Sequence, residues 1–502
     1  MAGGRAMRPL ACGMIQRLAA AALGLVACSA AAVAQPVPAP QCTVDVELSA
    51  AGLKLDVLYR CRSASAVTFR PDSERVAARV AAFRDGAGAE PPPSSNGWSV
   101  EPHNGLVEAR YSFDLGGYAR AVDNVSTAVQ RGEGVVSLLS GWLLEPRGYG
   151  DPPVIDIRAK VPAGLQFQTG MPRVGDAWRL TGVPVRFAGL TAIGRLSLQD
   201  IAVPAPGSLR ADLLGSSAPR SDGVIHLAIL DGLTEANRAD IAEWVRRTAL
   251  AEANYWDGFT AKQMLLAMVP APNRRGIGFG RTVSGGGATV MVEVGTDVDP
   301  RRLFNDWVLV HELIHTGMPY ISGRATWFME GAATYVEPII RARAGWKTED
   351  EVWREWIDQM PQGASAFATG LSRASGRQVY WSGATFMLLA DLGLRRATSG
   401  AMGLEDCLKG ALAAGLIGPM RVDLADYAAV CDRVTRTNVV SALIEKHFDR
   451  PAPVDLAALW KEIGVGLQDG KIVFDDAAPL AQWRKMIVMG PPGRPPSPVP
   501  RP

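Results

Sequence analysis

The stretch WVLVHELIHTGMPYISGRATWFMEGAATYVE, residues 307–337, decides how the rest of the chain is read. It holds two of the five histidines in 502 residues, His311 and His315, with Glu312 directly after the first. On an α-helix, residues four apart sit about 40° apart around the axis and one turn along. His311 and His315 then project from one face and reach one ion. Glu312 lies about 60° from His315 on the same side, where it meets a metal-held water without being a ligand. This is the H-E-x-x-H zinc pattern. The spacing predicts a single helix over 299–317, with Asp299 as N-cap, Pro300 in the first turn, and Gly317 and Pro319 past its end.

Zinc at a catalytic site takes three protein ligands and keeps one position open. Glu330 follows His315 after fourteen intervening residues, enough for a short loop and a return helix, and is the expected third ligand. Glu337, seven residues on, falls on almost the same helical face. It reads either as the acceptor of a ligand histidine's second ring N–H or as a solvated helix glutamate. The apolar run WVLV before the motif argues for burial, and buried His and Glu are costly unless paired or metal-bound.

Working outward, 502 residues exceed one ordinary core, so two or three domains are expected. Segments such as CTVDVELS, LKLDVLYRC and LVEARYSFDL alternate between turn residues and make 36–220 a β-rich, sandwich-like domain. From 221 the pattern changes to strands GVIHLAIL, KQMLLAMVP and ATVMVEVG around a helix at 234–256. This places a catalytic domain at 221–345 and a helical domain at 346–488. The Pro-rich tail at 489–502 has no means of packing and reads as disordered. The fold class expected is multidomain α+β.

A net charge of +2 without a basic run gives no case for nucleic acid as a partner. Arg5, Arg8 and Arg17, the apolar LAAAALGLVAC (18–28) and small residues to Ala34 read as an export leader over 1–34. Cleavage after Ala34 and a lipid anchor on Cys28 are the two outcomes of that leader, placing the protein in the periplasm or cell envelope. No later segment is apolar enough to span a membrane. Of the cysteines beyond the leader, Cys42–Cys61 and Cys407–Cys431 form local pairs that read as disulfides, with free buried thiols as the alternative.

HELIH, WFMEGAATYVE and VYWSGATFMLLADLGLRRATSGAMGLEDCLKG (379–410) together resemble the gluzincin metallopeptidases. The nearest likeness is to the glycyl aminopeptidase family and its relatives around aminopeptidase N. The resemblance implies a thermolysin-like zinc domain, Zn²⁺ as cofactor and a peptide substrate. It implies Tyr380 as donor to the oxyanion, against a bland alternative of one more half-buried tyrosine. It also implies that Gly286 and Gly287 line a substrate strand over Gly285–Val292, an edge open to an extended peptide. Two departures stand out. The gap between H-E-x-x-H and Glu330 is shorter than in the family, and Thr289 stands where the family places an amine-binding glutamate, with Glu293 poorly spaced to replace it. A degenerate, non-catalytic binding module is the alternative reading, and a zinc hydrolase of non-peptide substrates a further one.

Overall fold

The computed structural model describes residues 39–490 except Ala50, Gly52, 204–222, Ser322 and Pro419. The leader, Cys28 and the tail from 491 lie outside the described residues.

The N-terminal part is built from strands whose alternate residues face inward. Cys42–Ser49 and Lys54–Arg62 bury Val44, Val46, Leu55 and Val57 while their other faces meet water. These two strands pair antiparallel at the centre of a seven-stranded sheet. Cys42 sits directly opposite Cys61 in the register, and the two are disulfide-bonded. A four-stranded and a three-stranded sheet complete this part. The core they share centres on Tyr59, Phe69, Phe113 and Trp142. Its buried polar tips are satisfied: Tyr111 donates to the Trp142 carbonyl at 3.0 Å, and Trp142 Nε1 donates to Thr191 at 3.0 Å.

Next comes a five-stranded mixed sheet in the order Ser197–Val203, Gly223–Ile229, Gln263–Ala271, Ala288–Gly295, Ile277–Val283. The three middle strands are parallel and both edges antiparallel. Being covered on both faces, the middle strands are nearly continuously apolar. One face packs on the four-stranded sheet through Leu265, Ala267, Val269 and Met291. The other face joins the helices in one core that runs from Ile201 to Val488.

Two sequence expectations change here. The strand carrying Thr289 is interior, flanked by Gln263–Ala271 and Ile277–Val283, so no peptide can add to it. The edge strand on that side of the sheet is Ile277–Val283. The expected helix over 299–317 is two helices, Pro300–Leu303 and Val308–Thr316. Asp299 caps the first by accepting from Arg301 N. Asp306 accepts from Val308 N at 2.8 Å and starts the second.

The helix Thr326–Arg343 returns alongside Val308–Thr316 and packs on Gln378–Ala397. At that crossing Gly331 meets Gly383 so closely that a Cβ on Gly331 would lie 2.2 Å from the Gly383 backbone. Pro338 does not end its helix, which continues to Arg343. Farther on, helices Leu404–Ala413 and Leu424–Thr435 are tied by the Cys407–Cys431 disulfide.

Candidate metal centre

Three helices and one strand meet at the motif. The Val308–Thr316 helix buries His311 and Glu312. The return helix presents Glu330 from its first turns. The Nε2 atoms of His311 and His315 are 3.2 Å apart. Glu330 Oε2 lies 3.1 Å from the first and 3.5 Å from the second. The spacing read from the sequence thus brings all three expected ligands to one point.

This donor set suits zinc. Bonds of about 2.0–2.1 Å in tetrahedral geometry require ligand atoms about 3.3–3.4 Å apart, and the three edges here straddle that value. Two imidazole nitrogens aimed at one another across 3.2 Å each bring a lone pair to a shared cation. Burial disfavours charge on Glu330, but hydrogen bonds from His311 and His315 outweigh it and hold the carboxyl well below its ordinary range. Burial would also lower the His315 pKa, yet the hydrogen bond and charge of Glu330 leave it raised.

Glu312 is gripped from the edge strand. Thr282 Oγ1 lies 2.8 Å from Glu312 Oε2 and 2.7 Å from the Glu312 carbonyl. Gly280 lets the strand come this close: a Cβ there would stand 2.6 Å from Glu312 Cγ and 2.5 Å from Val308 Cγ1. Arg281 lies between these two contacts and donates to the Ser126 carbonyl of the β-rich part.

Tyr380, at the start of Gln378–Ala397, faces the cluster, its ring 6.1 Å from that of His311. Burial raises its pKa, and the charges of Glu330 and Glu312 raise it further, so its phenol keeps the proton. Trp307 stands edge-on to His311 at 5.2 Å while 49% exposed. With Thr334, Glu337 and Trp381, these residues wall a cavity of about 360 Å³ opening beside His311.

Other expected residues sit elsewhere. Glu337 lies in the cavity wall, but its carboxylate accepts from Arg341 at 2.7 Å rather than from a ligand histidine. The Nδ1 of His311 is buried with no partner among the described residues. Gly286 and Gly287 form the tight turn between the edge strand and its neighbour, and Gly286 has φ +74°. A Cβ on Gly287 would come 2.1 Å from the Gly170 carbonyl, so these glycines seat the turn on the β-rich part instead of lining the cleft. Thr289 is buried there too, accepting from Leu190 N at 3.0 Å and donating to the Val283 carbonyl at 2.5 Å. Glu293 follows on the same strand face and pairs with Arg274 at 3.6 Å. Thr289 is therefore no guide to what the cleft does with an amine. Sequence reasoning missed Gly280, Arg281, Thr282 and Trp307. The first three lie in IGFGRTV, a half-exposed strand whose glycines hide its periodicity.

Neither a family model nor a curated protein sequence matches the chain. The chain is similar to solved structures. An aminopeptidase N family protein from Idiomarina loihiensis, 14% identical, aligns with a TM-score of 0.58 over 85% of this chain and 79% of that one. A two-domain M1 zinc metallopeptidase mutant bound to L-arginine is 15% identical over 82% of this chain and 95% of its own, with a TM-score of 0.46. An M1 zinc metallopeptidase mutant from Deinococcus radiodurans is 15% identical over 82% and 94%, with a TM-score of 0.47. The first likeness shows the fold, and at this identity it shows the fold alone.

Proposed function

We propose that the chain is an exported zinc metallopeptidase, with the metal ligands and the general base in 221–345, Tyr380 contributed by the helical 346–488 region, and the β-rich 36–220 region before them. The observation that carries this reading is the triangle of His311 Nε2, His315 Nε2 and Glu330 Oε2, with edges of 3.1, 3.2 and 3.5 Å and Glu312 on the same helix.

When bound, zinc supplies the Lewis-acid charge that makes water acidic and a carbonyl electrophilic. Glu312 receives the proton that the attacking water gives up and passes it to the leaving amine. Thr282 fixes the carboxylate for that transfer. Tyr380, protonated at neutral pH, donates to the developing oxyanion. The exposed edge Ile277–Val283 offers backbone groups to an extended peptide. Two disulfides support an oxidising compartment outside the cytoplasm, and no described helix is long and apolar enough to cross a membrane.

The test purifies the protein without chelator, measures zinc by mass spectrometry, and profiles cleavage of a peptide library before and after chelation. One zinc per chain and chelator-sensitive cleavage are expected. Zinc without cleavage would favour the binding-module reading, and cleavage that survives metal removal would discard the zinc mechanism.

A further inference from the structure

The edge strand carries an arginine where it touches the general base. Gly280 packs against Glu312 and Thr282 bonds it, so Arg281 lies between the two points of contact. Strand alternation turns its side chain from the metal helix toward the β-rich part, where Nη1 meets the Ser126 carbonyl. The guanidinium is half-buried where the edge strand meets the β-rich part, near enough to the general base that the charge of Glu312 acts on it.

Arginines more deeply buried elsewhere in the chain have carboxylate partners: Arg179 with Asp156, Arg341 with Glu337, Arg343 with Glu405, Arg395 with Asp391. Arg281 has none among the described residues, and the acid whose charge acts on it, Glu312, is held by Thr282. Withdrawing a charge from water is costly when no counter-charge meets it, and a guanidinium presents a fork that matches a carboxylate. A free N-terminal ammonium here would face a fixed positive charge.

Resting on the metallopeptidase reading, the geometry points to Arg281 as an anion subsite, binding a carboxylate carried by the substrate residue next to the bond that is cut. Two sources share that chemistry, an acidic side chain and the terminal carboxylate of a short peptide.

The test measures kcat/KM on the zinc-loaded full chain for N-acetylated peptides differing only in Glu, Gln or Lys beside the scissile bond, each with a free or amidated C-terminus. Wild type is expected to prefer a carboxylate-bearing peptide over its neutral twin by about tenfold or more, the scale of a charge-assisted hydrogen bond. Preference for Glu assigns the anion to a side chain, and preference for a free C-terminus assigns it to the terminal carboxylate. In Arg281→Gln that ratio should collapse toward one, and in Arg281→Glu it should turn toward Lys. Equal wild-type rates on charged and neutral peptides would overturn the inference while leaving the peptidase reading intact. So would an Arg281→Gln variant that slows all peptides alike, because Arg281 would then only position Glu312. If zinc-loaded wild type cleaves the free-amine forms of these peptides but none of the acetylated ones, the subsite is overturned and the peptidase reading stands, whereas cleavage of neither form removes the peptidase reading and this subsite with it.

Discussion

Thr282 and Glu312 share a single hydroxyl proton: Thr282 Oγ1 is 2.8 Å from the Glu312 carboxylate and 2.7 Å from the Glu312 carbonyl. A threonine hydroxyl donates once and accepts through two lone pairs. It can donate to the ionised carboxylate, or donate to the carbonyl while accepting from a protonated Glu312. One side chain therefore fits both states of a base that takes up and releases a proton. Thr282→Val keeps the shape and removes the hydroxyl. The expected result is a fall in kcat of roughly tenfold, matching about 1.5 kcal/mol for one such hydrogen bond, with KM and zinc content little changed. An unchanged kcat would show that Glu312 needs no help from the edge strand.

Glu312→Gln tests the base itself. The amide fills the same space and cannot take up a proton, so turnover should drop by about 10²–10⁴ while zinc stays bound. The loss should fall on kcat rather than KM, since the interaction is used on the reaction coordinate. Near-normal kcat in a folded variant removes Glu312 from this role.

His315→Ala should release the metal, leaving His311 and Glu330 as ligands. Metal bound only by the native state adds to its stability by mass action. Chelation should therefore lower the Tm of wild type and leave the Tm of the variant where it was. A variant that still purifies with one zinc per chain, or whose Tm falls on chelation, would sink the ligand assignment.

The metal cluster was legible because its spacing is local. His311 and His315 are fixed by one helical turn, and Glu330 needs only a short return. The cysteine pairs were readable for a similar reason, each being close in sequence. The edge strand was not, because Ile277–Val283 is half-exposed, rich in glycine and recognisable only from its pairing with Ala288–Gly295. Missing it moved the cleft wall to Gly285–Val292, which is a turn followed by an interior strand. The break before Val308 is hidden because two start markers follow in succession, Asp299 with Pro300 and then Asp306, and the first alone is enough to begin a helix that runs through the second. Glu337 has the helical phase of a residue that could orient a ligand histidine, but phase cannot reveal that Arg341, one turn on, claims its carboxylate.

His447 gives the fold a pH dependence away from the metal. It is buried, edge-on to Phe367 at 5.1 Å. Burial, helped by the charge of Lys446, pulls its pKa from 6.5 down to about 4. As pH falls below 6.5 the unfolded chain takes up this proton, whereas the folded chain does so only near 4. The stability linked to His447 is therefore full above pH 6.5 and is lost as pH falls toward 4. Urea unfolding at pH 7.5 and 5 should show a smaller loss on acidification in His447→Gln than in wild type. Equal losses would mean that the ring titrates alike in both states.

Two glycines on the edge strand should behave oppositely when changed to alanine. A Cβ on Gly280 would sit 2.5 Å from Val308 Cγ1 and 2.6 Å from Glu312 Cγ. Neither atom yields easily, since valine is stiff at its first torsion and Glu312 Cγ is mid-chain in a side chain tethered by Thr282. The strand must back away or the carboxylate must turn, and a shift of about 1 Å at a reacting group costs on the order of 10²-fold. A Cβ on Gly278 would instead meet Arg274 Nη1 at 2.8 Å and Glu293 Oε1 at 2.9 Å. Those are the far ends of long side chains and can swing aside. Both variants should keep zinc, because His311, His315 and Glu330 stand on helices that neither change alters. Gly280→Ala should lose most of its kcat, and Gly278→Ala should stay within a few-fold of wild type. Parallel measurement of zinc content and kcat in the two variants decides it. Full activity in Gly280→Ala would show that the strand does not need to touch Glu312 for the reaction to proceed.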